Sequence, residues 1–521
     1  MAKDVETQEA IQRLRERRAQ AYAAAGVEKI AERHRKGLLT ARERVEALLD
    51  PGTFQEQYLF AETICQDFGL DKKRYPGDGA IVGFGLIDKR LVSVTANDSL
   101  IMGGSGSSSH ARKIAETIDQ AVKIGCPLIQ LNDSSGGRIQ EGTDKASYSK
   151  AILYSNVQAS GVIPQITAIM GRCAGFAVYG AALTDFVFIV DGLGEMFITG
   201  PAIIREVTGE EISFADLGGA RVCTRINGAA DFLVANENEC FEEIRRLLSF
   251  FPSNYRESPA DRPTDDPFNR PVPQLEDILP SNPQKAYDIR RVIEKILDDE
   301  DFMEVKKDFA KNIVVGFGRM GGQSIGVVAN QPMFLGGCFT VDSSDKSARF
   351  IRFCDAFNIP LLFLEDTPGY LPGVKQEYAG IIRHGAKHLY AFCESTVPKV
   401  TVVIRKAYGG GHWAMGGNKS HGTDIIYSWP NAEFAIMGAP QAAKLLYRRE
   451  LKASAEPEVL LQQKIKEYRD LFANPYRQAA TMNIDDIIEP AETRFKVIQA
   501  FQALKGKREA KPPRRHGNIP L

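Results

Sequence analysis

Short apolar runs alternate with amphipathic stretches along most of the chain. The apolar runs are four to six residues long and rich in β-branched residues, as in "LVSVTA", "CPLIQLND" and "PQITAIM". Between them lie segments with helical periodicity, such as "SSHARKIAETIDQAVKIG". Apolar runs of this length between helices are typical of buried strands in βαβ units. The pattern therefore predicts an α/β fold.

This pattern occurs twice in the sequence. "VGFG" is found at 82–85 and again at 315–318, which is 233 residues later. Four further matches share that offset: "VTAND" (94–98) with "VVANQ" (327–331), the glycine pairs 103–104 and 336–337, Lys113 with Lys346, and "LNDSSGG" (131–137) with "LEDTPGY" (364–370). Because chance does not produce several matches at one offset, we interpret the chain as two copies of one domain.

Further along, the offset between the copies grows by one residue. "VIPQITAIMGRCAGF" (162–176) then matches "TVPKVTVVIRKAYGG" (396–410), which aligns Gly175 with Gly409. Between the copies lies "FPSNYRESPADRPTDDPFNRPVPQLEDILPSNPQ", a charged segment with eight prolines that is unsuited to a packed helix or a central strand. We therefore predict three regions: an N-terminal domain (1–258), a linker (259–284) and a C-terminal domain (285–521).

Composition narrows the class of protein. The chain is 44% apolar and 25% charged with a net charge of −1, which argues against a general nucleic-acid binder. It has no 18-residue apolar stretch that predicts a membrane span, and its charged start lacks the apolar core of a signal peptide. Its eight cysteines form no C-x-x-C pair, as expected in a reducing compartment. We predict a cytoplasmic enzyme.

A turn of small residues follows a strand-like run in each copy: "IMGRCAG" in the first and "IRKAYGGG" in the second. If a helix begins at such a turn, its first N–H groups have no partner in the helix, and its dipole favours negative charge. Two such amides can stabilise the oxyanion of an enolate or a tetrahedral species. A mobile glycine loop is the alternative. Two turns predict two oxyanion sites, one for each of two substrates.

Other common catalytic motifs are absent from the sequence. There is no G-x-x-x-x-G-K-[ST], and "GGSGSSSH" (103–110) does not fit G-x-S-x-G. The seven histidines lack metal-site spacing, and we interpret His384 and His388 as packing or interface residues rather than a zinc pair. Four carboxylates near the turns have turn-forming or charge-pairing roles as the first interpretation and acid–base roles as the alternative: Asp133, Glu141, Asp366 and Glu377.

Longer motifs resemble a known family. The first half carries "LTARERVEALLD" (39–50), "PGDGAIVG" (76–83), "RIQEG" (138–142), "ASGVIPQI" (159–166), "TDF" (184–186) and "FITGP" (197–201). The second half carries "VVANQP" (327–332), "PGYLPGVKQEYAGIIRHGAKHLYA" (368–391), "RKAYGG" (405–410) and "RRHGNIPL" (514–521). These motifs resemble the carboxyltransferase β chains of biotin-dependent acyl-CoA carboxylases, in the propionyl-CoA/methylmalonyl-CoA group. The resemblance covers nearly the whole chain.

The resemblance implies a tandem pair of crotonase-like domains of the ClpP/crotonase superfamily. It also implies that a coenzyme A thioester binds the first domain and biotin binds the second across a dimer interface, with three dimers in a hexamer. No M-K-M biotin-attachment sequence and no ATP-grasp region is found, so the biotin carrier and the biotin carboxylase are expected on separate chains. The implied reaction moves a carboxyl group between carboxybiotin and the α-carbon of a short acyl-CoA such as propionyl-CoA.

By position, the resemblance assigns two backbone oxyanion holes. Gly175 and Phe176 are expected to hold the thioester enolate oxygen, and Gly410 and Gly411 the ureido oxygen of biotin. In the family, biotin itself delivers CO2 and removes the α-proton, so that neither a side-chain base nor a metal in this chain is required.

Several positions depart from the family pattern. Phe176 replaces a glycine, and Gly411, His412 and Trp413 follow "AYGG" where the family has Ala-Tyr and then an Asp or apolar residue that helps to choose the acyl chain. His412 and Trp413 are therefore expected to alter acyl selection. Three alternatives stay open: a methylmalonyl-CoA decarboxylase or transcarboxylase subunit running the step in reverse, a free-standing crotonase-type hydratase or hydrolase, and a non-catalytic paralogue.

Overall fold

The chain folds into two compact units in the computed structural model, which describes residues 2–142, 149–280, 282 and 285–521. One unit comprises residues 1–249 and 253–256, and the other comprises 250–252 and 257–521. The described residues of the predicted linker (259–284) belong to the second unit. Their regular structure is limited to one 3-10 turn, Pro273–Leu275, but Val272 and Leu275 are buried in the core of that unit.

A mixed sheet forms the centre of the first unit. Its described strands are β1 (Gln55–Gln57), β2 (Ala80–Ile87), β3 (Arg90–Asn97), β4 (Leu128–Ser134), β5 (Gln165–Ala174), β6 (Phe186–Val190), β7 (Glu195–Phe197) and β8 (Phe232–Val234). They lie in the order β1-β2-β3-β4-β5-β6-β8, and β7 pairs with the end of β5. The β1–β2 and β2–β3 pairs are antiparallel, whereas β3 to β8 are parallel.

The second unit repeats this topology. Its described strands are β9 (Phe302–Val305), β10 (Ile313–Met320), β11 (Gln323–Asn330), β12 (Leu361–Thr367), β13 (Lys399–Tyr408), β14 (Ile425–Ser428), β15 (Glu433–Ala435) and β16 (Asp486–Ile487). The order is β16-β14-β13-β12-β11-β10-β9, with β15 beside the end of β13. The register repeats too: Gly83 pairs with Val94, and Gly316 pairs with Val327. The predicted α/β class and the duplication are confirmed.

Helices flank both sheets. Those described in the first unit are α1 (Ala2–Tyr22), α2 (Val27–Arg35), α3 (Ala41–Leu48), α4 (Ser108–Ile124), α5 (Ser149–Ala159), α6 (Ala177–Ala182), α7 (Pro201–Thr208), α8 (Phe214–Gly218), α9 (Ala220–Arg225) and α10 (Glu237–Leu248). Those described in the second are α11 (Arg290–Ile296), α12 (Val341–Ala356), α13 (Val374–Tyr378), α14 (Ile381–Glu394), α15 (Gly409–Ala414), α16 (Ala439–Leu446), α17 (Arg448–Ala453), α18 (Pro457–Leu471), α19 (Pro475–Ala480) and α20 (Thr493–Leu504).

The long helix after the antiparallel hairpin begins in the same way in each unit. The Ser107 side chain accepts from the amide of His110 at the start of α4, and Thr340 accepts from the amide of Ser343 at the start of α12. A side-chain oxygen at this position satisfies one of the unpaired first amides of a helix. Both helices pack on sheets whose parallel strands are buried on both faces, which explains their nearly continuous apolar sequence.

Candidate active site

In the first unit, the glycine-rich turn lies where β5 gives way to α6. Gly175 has φ +59°, a left-handed conformation that favours glycine. Its amide donates to the carbonyl of Phe197 in β7, with N and O 3.1 Å apart. The next two amides, of Phe176 and Ala177, have no hydrogen-bond acceptor among the described residues. These amides stand at the start of α6, where the helix supplies no acceptor of its own.

The turn that follows β4 packs against this strand end. Gly136 has φ +98°, and a Cβ at this position would lie 2.8 Å from the carbonyl oxygen of Ala174. Only glycine fits such a close approach. A cavity of about 60 Å³ lies beside these turns, with Phe176, Ala177 and Gly136 among the residues that line it. The site in this unit is assembled from adjacent parallel strands.

The second unit has an equivalent turn between β13 and α15. Gly409 has φ +53°, and the amides of Gly410 and Gly411 have no acceptor among the described residues. A Cβ on Gly411 would lie 2.8 Å from the Cα of Gly369, whereas a Cβ on Gly410 would meet the Tyr370 ring at 3.5 Å. No side chain covers these two donors from their own positions. Gly411 is buried, and Gly410 is partly exposed beside the Tyr370 ring.

The two predicted pairs of donors differ by one residue when the units are compared. Gly175 and Gly409 are equivalent, since each ends its strand with a positive φ. The residues equivalent to Gly410 and Gly411 are therefore Phe176 and Ala177. The amide of Gly175 itself already donates to Phe197. Sequence reasoning missed Ala177. The signal that finds it is the repeat itself, carried one residue past Phe176.

His412 and Trp413, the predicted selecting residues, lie on α15 directly after these donors. Nδ1 of His412 is 3.0 Å from Oε1 of Glu365 on β12. Burial lowers the pKa of His412, but the Glu365 carboxylate outweighs burial and raises that pKa above its ordinary value. Trp413 is 49% exposed, and its ring centroid lies 6.0 Å from that of His421. Sequence reasoning missed Glu365, although it lies within the repeated motif "LEDTPGY" (364–370).

The two equivalent aspartates are held by arginines. Oδ2 of Asp133 lies 3.1 Å from the guanidinium of buried Arg44, and Arg33 approaches the same oxygen at 3.0 Å. Oδ2 of Asp366 lies 2.9 Å from Nε of Arg405. Burial raises the pKa of Asp366, and the charge of Arg405 opposes that rise. These contacts support the charge-pairing interpretation rather than an acid–base role.

The other two candidate carboxylates have different surroundings. Glu141 is buried and accepts from the Thr63 hydroxyl at 2.6 Å and from the Ser108 amide at 2.8 Å. It thereby caps the start of α4. Glu377 is exposed on α13. Neither carboxylate lines the cavity beside Phe176.

The histidine pair on α14 is engaged by protein groups. Nδ1 of His384 lies 2.8 Å from Oδ1 of Asp345. His388 is fully buried; its Nδ1 lies 2.7 Å from the Ser347 hydroxyl, and its Nε2 2.7 Å from the carbonyl oxygen of Ala414. These contacts agree with a packing role. Within the described ranges, no group of three or more His, Cys, Asp or Glu side chains is arranged to hold a metal ion.

One tyrosine beside the second turn has an unpaired hydroxyl. The ring of Tyr370 faces Gly410 on one side and Gly385 of α14 on the other, and its buried oxygen has no hydrogen-bond partner among the residues that the structure describes. Burial raises the pKa of this phenol, which stays protonated at neutral pH. Separately, no helix in the described part of the chain combines the length and apolarity needed to cross a bilayer.

Comparisons with known proteins extend over almost the full chain. The carboxyl transferase domain profile matches residues 32–519. The methylmalonyl-CoA decarboxylase subunit alpha of Propionigenium modestum is 47% identical, covering 98% of this chain and 99% of that protein. The carboxyltransferase subunit of propionyl-CoA carboxylase from Haloferax mediterranei is 49% identical, with the same coverage. A crystal structure of the transcarboxylase 12S hexamer with methylmalonyl-coenzyme A bound gives a TM-score of 0.95, with 44% identity and 98% of each chain covered.

Proposed function

The chain belongs to the carboxyl transferase domain family, and we propose that it moves a carboxyl group between biotin and the α-carbon of a short-chain acyl-CoA. Its fold is a tandem duplication of crotonase-like domains, and it is an acyl-CoA carboxyltransferase. The observation that carries the proposal is the pair of equivalent strand-to-helix turns, at Gly175 and Gly409, each followed by two amides that have no acceptor in the described part of the chain. A reaction between two carbonyl-bearing substrates uses one such turn for each.

In this proposal the first turn holds the thioester oxygen. Removal of the α-proton turns the thioester into an enolate, whose negative charge resides largely on that oxygen. Amides already aimed at the oxygen stabilise the charge without reorganisation. The sequence predicted Gly175 and Phe176 for this role; the contact between the Gly175 amide and Phe197 favours Phe176 together with Ala177. The phenyl side chain of Phe176 leaves its amide in place.

The second turn fits the ureido group of biotin. A ureido oxygen is a neutral acceptor, and hydrogen-bond donors directed at it stabilise the negative charge that it gains when the carboxyl group leaves. Gly410 and Gly411 supply two amides that carry no side chain of their own and have no acceptor among the described residues. Biotin, when bound, supplies the carboxyl group and the base for the α-proton. The chain's own part is to polarise the thioester and ureido oxygens, to orient the two substrates and to exclude water from them.

The absence of a side-chain base from this mechanism agrees with the described carboxylates. Asp133 and Asp366 are paired with arginines, and Glu141 caps a helix. A free-standing hydratase or hydrolase would need a carboxylate directed at the thioester, and no described residue near Phe176 supplies one. The structure therefore favours carboxyl transfer over that alternative.

The second candidate function is the same carboxyl-transfer step run in the reverse direction. A relative that is 47% identical is named as a methylmalonyl-CoA decarboxylase subunit, so we keep a decarboxylase or transcarboxylase role as the alternative. Both directions use the same donors, because the forward and reverse steps pass through one transition state. His412 and Trp413 are proposed to select the acyl group from their place beside Gly411.

We further propose the assembly and the partners that this function requires. The similar transcarboxylase 12S was crystallised as a hexamer, and we propose a hexamer of three dimers here. The biotin carrier and the biotin carboxylase are proposed to be separate chains. All eight cysteines are free thiols, as expected for a protein of the reducing cytoplasm.

A biotin-dependent decarboxylation assay tests this function with the chain alone. Malonyl-CoA and methylmalonyl-CoA are supplied with and without free biotin, and CO2 release is followed. The proposal expects release that depends on biotin and saturates with the thioester. A correctly assembled protein that shows no biotin response with either thioester would contradict it and support the non-catalytic alternative.

A further inference from the structure

The cavity beside Phe176 is small and bordered by hydrocarbon. It has a volume of about 60 Å³, and the residues of its wall include Ile114, Ile152, Ala181 and Phe176. A dry cavity of about 150 Å³ holds a benzene molecule, and one water occupies about 30 Å³ of liquid. The space therefore suits a group of two or three heavy atoms.

Five polar side chains line this cavity, those of Asn97, His110, Gln130, Asn132 and Ser134, and all but that of Asn132 are hydrogen-bonded to other described protein groups. Nε2 of His110 lies 2.9 Å from the Asn97 amide, and its Nδ1 lies 3.1 Å from the carbonyl of Asp78. Gln130 donates to Asn156 at 3.0 Å. Burial lowers the pKa of His110 to about 4, so the ring is neutral at neutral pH. No charged side chain is among the described residues that line the cavity, and its apolar wall offers a contact surface for an alkyl group.

We propose that Phe176 sets the upper size of the α-substituent that the first unit accepts, because its amide faces the thioester oxygen while its ring forms part of the wall of the alkyl cavity. This inference rests on the proposed function. In a thioester, the α-carbon is one bond from the carbonyl carbon, so its substituent extends only a few ångströms from the bound oxygen. One residue therefore fixes both the oxygen and the space left for the alkyl group.

The two parts of Phe176 can be separated by substitution. Phe176 has ordinary helical angles, φ −61° and ψ −30°, which any residue adopts. Replacing the ring by a methyl group in Phe176→Ala keeps the amide and enlarges the cavity. Phe176→Leu keeps the amide and most of the bulk, and it serves as the matched control. Ile152→Ala enlarges the cavity from another part of the wall without touching the proposed donor.

The test is a series of 2-alkylmalonyl-CoA thioesters with hydrogen, methyl, ethyl or propyl as the substituent. Biotin-dependent CO2 release is measured for each, and kcat/KM ratios are compared. For the wild-type protein, kcat/KM is expected to fall steeply once the substituent exceeds the size that fits about 60 Å³. Because one methylene in a tight pocket is worth roughly 10–200-fold in kcat/KM, Phe176→Ala is expected to raise the propyl-to-methyl ratio at least tenfold. Phe176→Leu keeps the wild-type order.

The outcomes separate this inference from the function on which it rests. If Phe176→Ala and Ile152→Ala both raise the ratio for larger substituents, the cavity is the alkyl pocket and Phe176 limits it. Biotin-dependent release whose size order is unchanged in both variants overturns the inference and leaves the function intact. If the wild-type protein releases no CO2 in response to biotin from any thioester of the series, the proposed function itself is overturned. Thermal unfolding of each variant confirms that the compared proteins are folded.

Discussion

Nδ1 of His412 lies 3.0 Å from Oε1 of Glu365, a carboxylate with no exposed surface. The pair joins α15, which carries the proposed donors for biotin, to the neighbouring strand β12. Burial raises the pKa of Glu365, and the charge of His412 opposes that rise. Gly417 packs so closely that a Cβ on it would lie 2.0 Å from Cε1 of His412. The imidazole is thus enclosed and oriented by its surroundings.

His412→Ala is expected to destabilise the second unit strongly. Removing one partner of a buried pair leaves the other charge unpaired, at a cost of about 3–5 kcal/mol. For a unit of this size the thermal midpoint is expected to fall by roughly 10 °C. The double variant Glu365→Leu/His412→Leu removes both charges and is expected to recover much of the loss. Equal midpoints for the single and double variants would assign the effect to lost packing instead.

The same pair predicts a pH dependence of stability. The pKa of His412 is raised above 6.5 in the folded state, so the contribution of the imidazolium is fully present below 6.5 and is lost as pH rises through the raised value. In Glu365→Gln the carboxylate is gone, and burial alone favours neutral histidine. Wild-type protein is therefore expected to lose more of its unfolding midpoint than Glu365→Gln between about pH 6 and pH 9. Parallel curves for the two proteins would exclude the ion pair as the cause.

Gly410→Pro is expected to abolish most of the biotin-dependent activity. Proline has no N–H and is tolerated in the first turn of a helix, so the substitution removes one proposed donor with little change of backbone. Loss of one donor from an oxyanion hole costs roughly 100–1000-fold in kcat. Gly410→Ala is the control, because it keeps the amide and its Cβ meets the Tyr370 ring at an ordinary 3.5 Å. If alanine and proline reduce kcat equally, the loss comes from side-chain bulk rather than from the amide.

Lys346→Met is expected to destabilise the second unit without acting at its site. Nζ of the buried Lys346 donates to three carbonyls, those of Lys306, Phe309 and Ile313, each at 2.9 Å. Methionine keeps the length and removes all three donors, and each buried polar group left unpaired costs about 1–3 kcal/mol. Chemical unfolding measures the loss. The exposed Lys307→Met is the matched control, expected to stay within roughly 0.5 kcal/mol of wild type; a loss equal to that of Lys346→Met would refute the explanation.

Lys346 also shows how far the sequence alone could lead. Its match to Lys113 at the common offset can be read from the sequence. Both lysines donate to backbone carbonyls where the first hairpin strand of their unit begins. The fold class and the duplication follow from such matches, because apolar spacing and glycine positions are local properties. The carbonyl partners are not visible, since any residue supplies the same backbone oxygen.

The candidate site divides in the same way. The glycines at 175 and 409 could be predicted, because a positive φ at a strand end restricts the residue type. The engagement of the Gly175 amide could not, since it depends on the three-residue strand β7 lying beside β5. The contact between Glu365 and His412 joins residues 47 positions apart and follows only from the packing of α15 on β12. The strand-end glycines could thus be predicted from the sequence, whereas the contacts between elements could be found only in the structure.

Trp413→Ala is expected to change which acyl-CoA is preferred while leaving the fold intact. The indole follows His412 on α15, is half exposed, and lies tilted at 34° to the His421 ring with the centroids 6.0 Å apart, so its removal leaves no buried cavity. If Trp413 contacts the acyl group, as we propose, the malonyl-CoA to methylmalonyl-CoA ratio of kcat/KM is expected to shift by roughly tenfold or more.

His421→Ala, which removes only the ring beside Trp413, is the matched control for Trp413→Ala. It is expected to shift the ratio less, because the indole stays on α15. Free biotin is kept saturating in these assays, so that an effect on the biotin turn appears in kcat for both thioesters alike. A uniform fall in both kcat/KM values, with an unchanged ratio, would mean that Trp413 supports the biotin turn and does not select the acyl group.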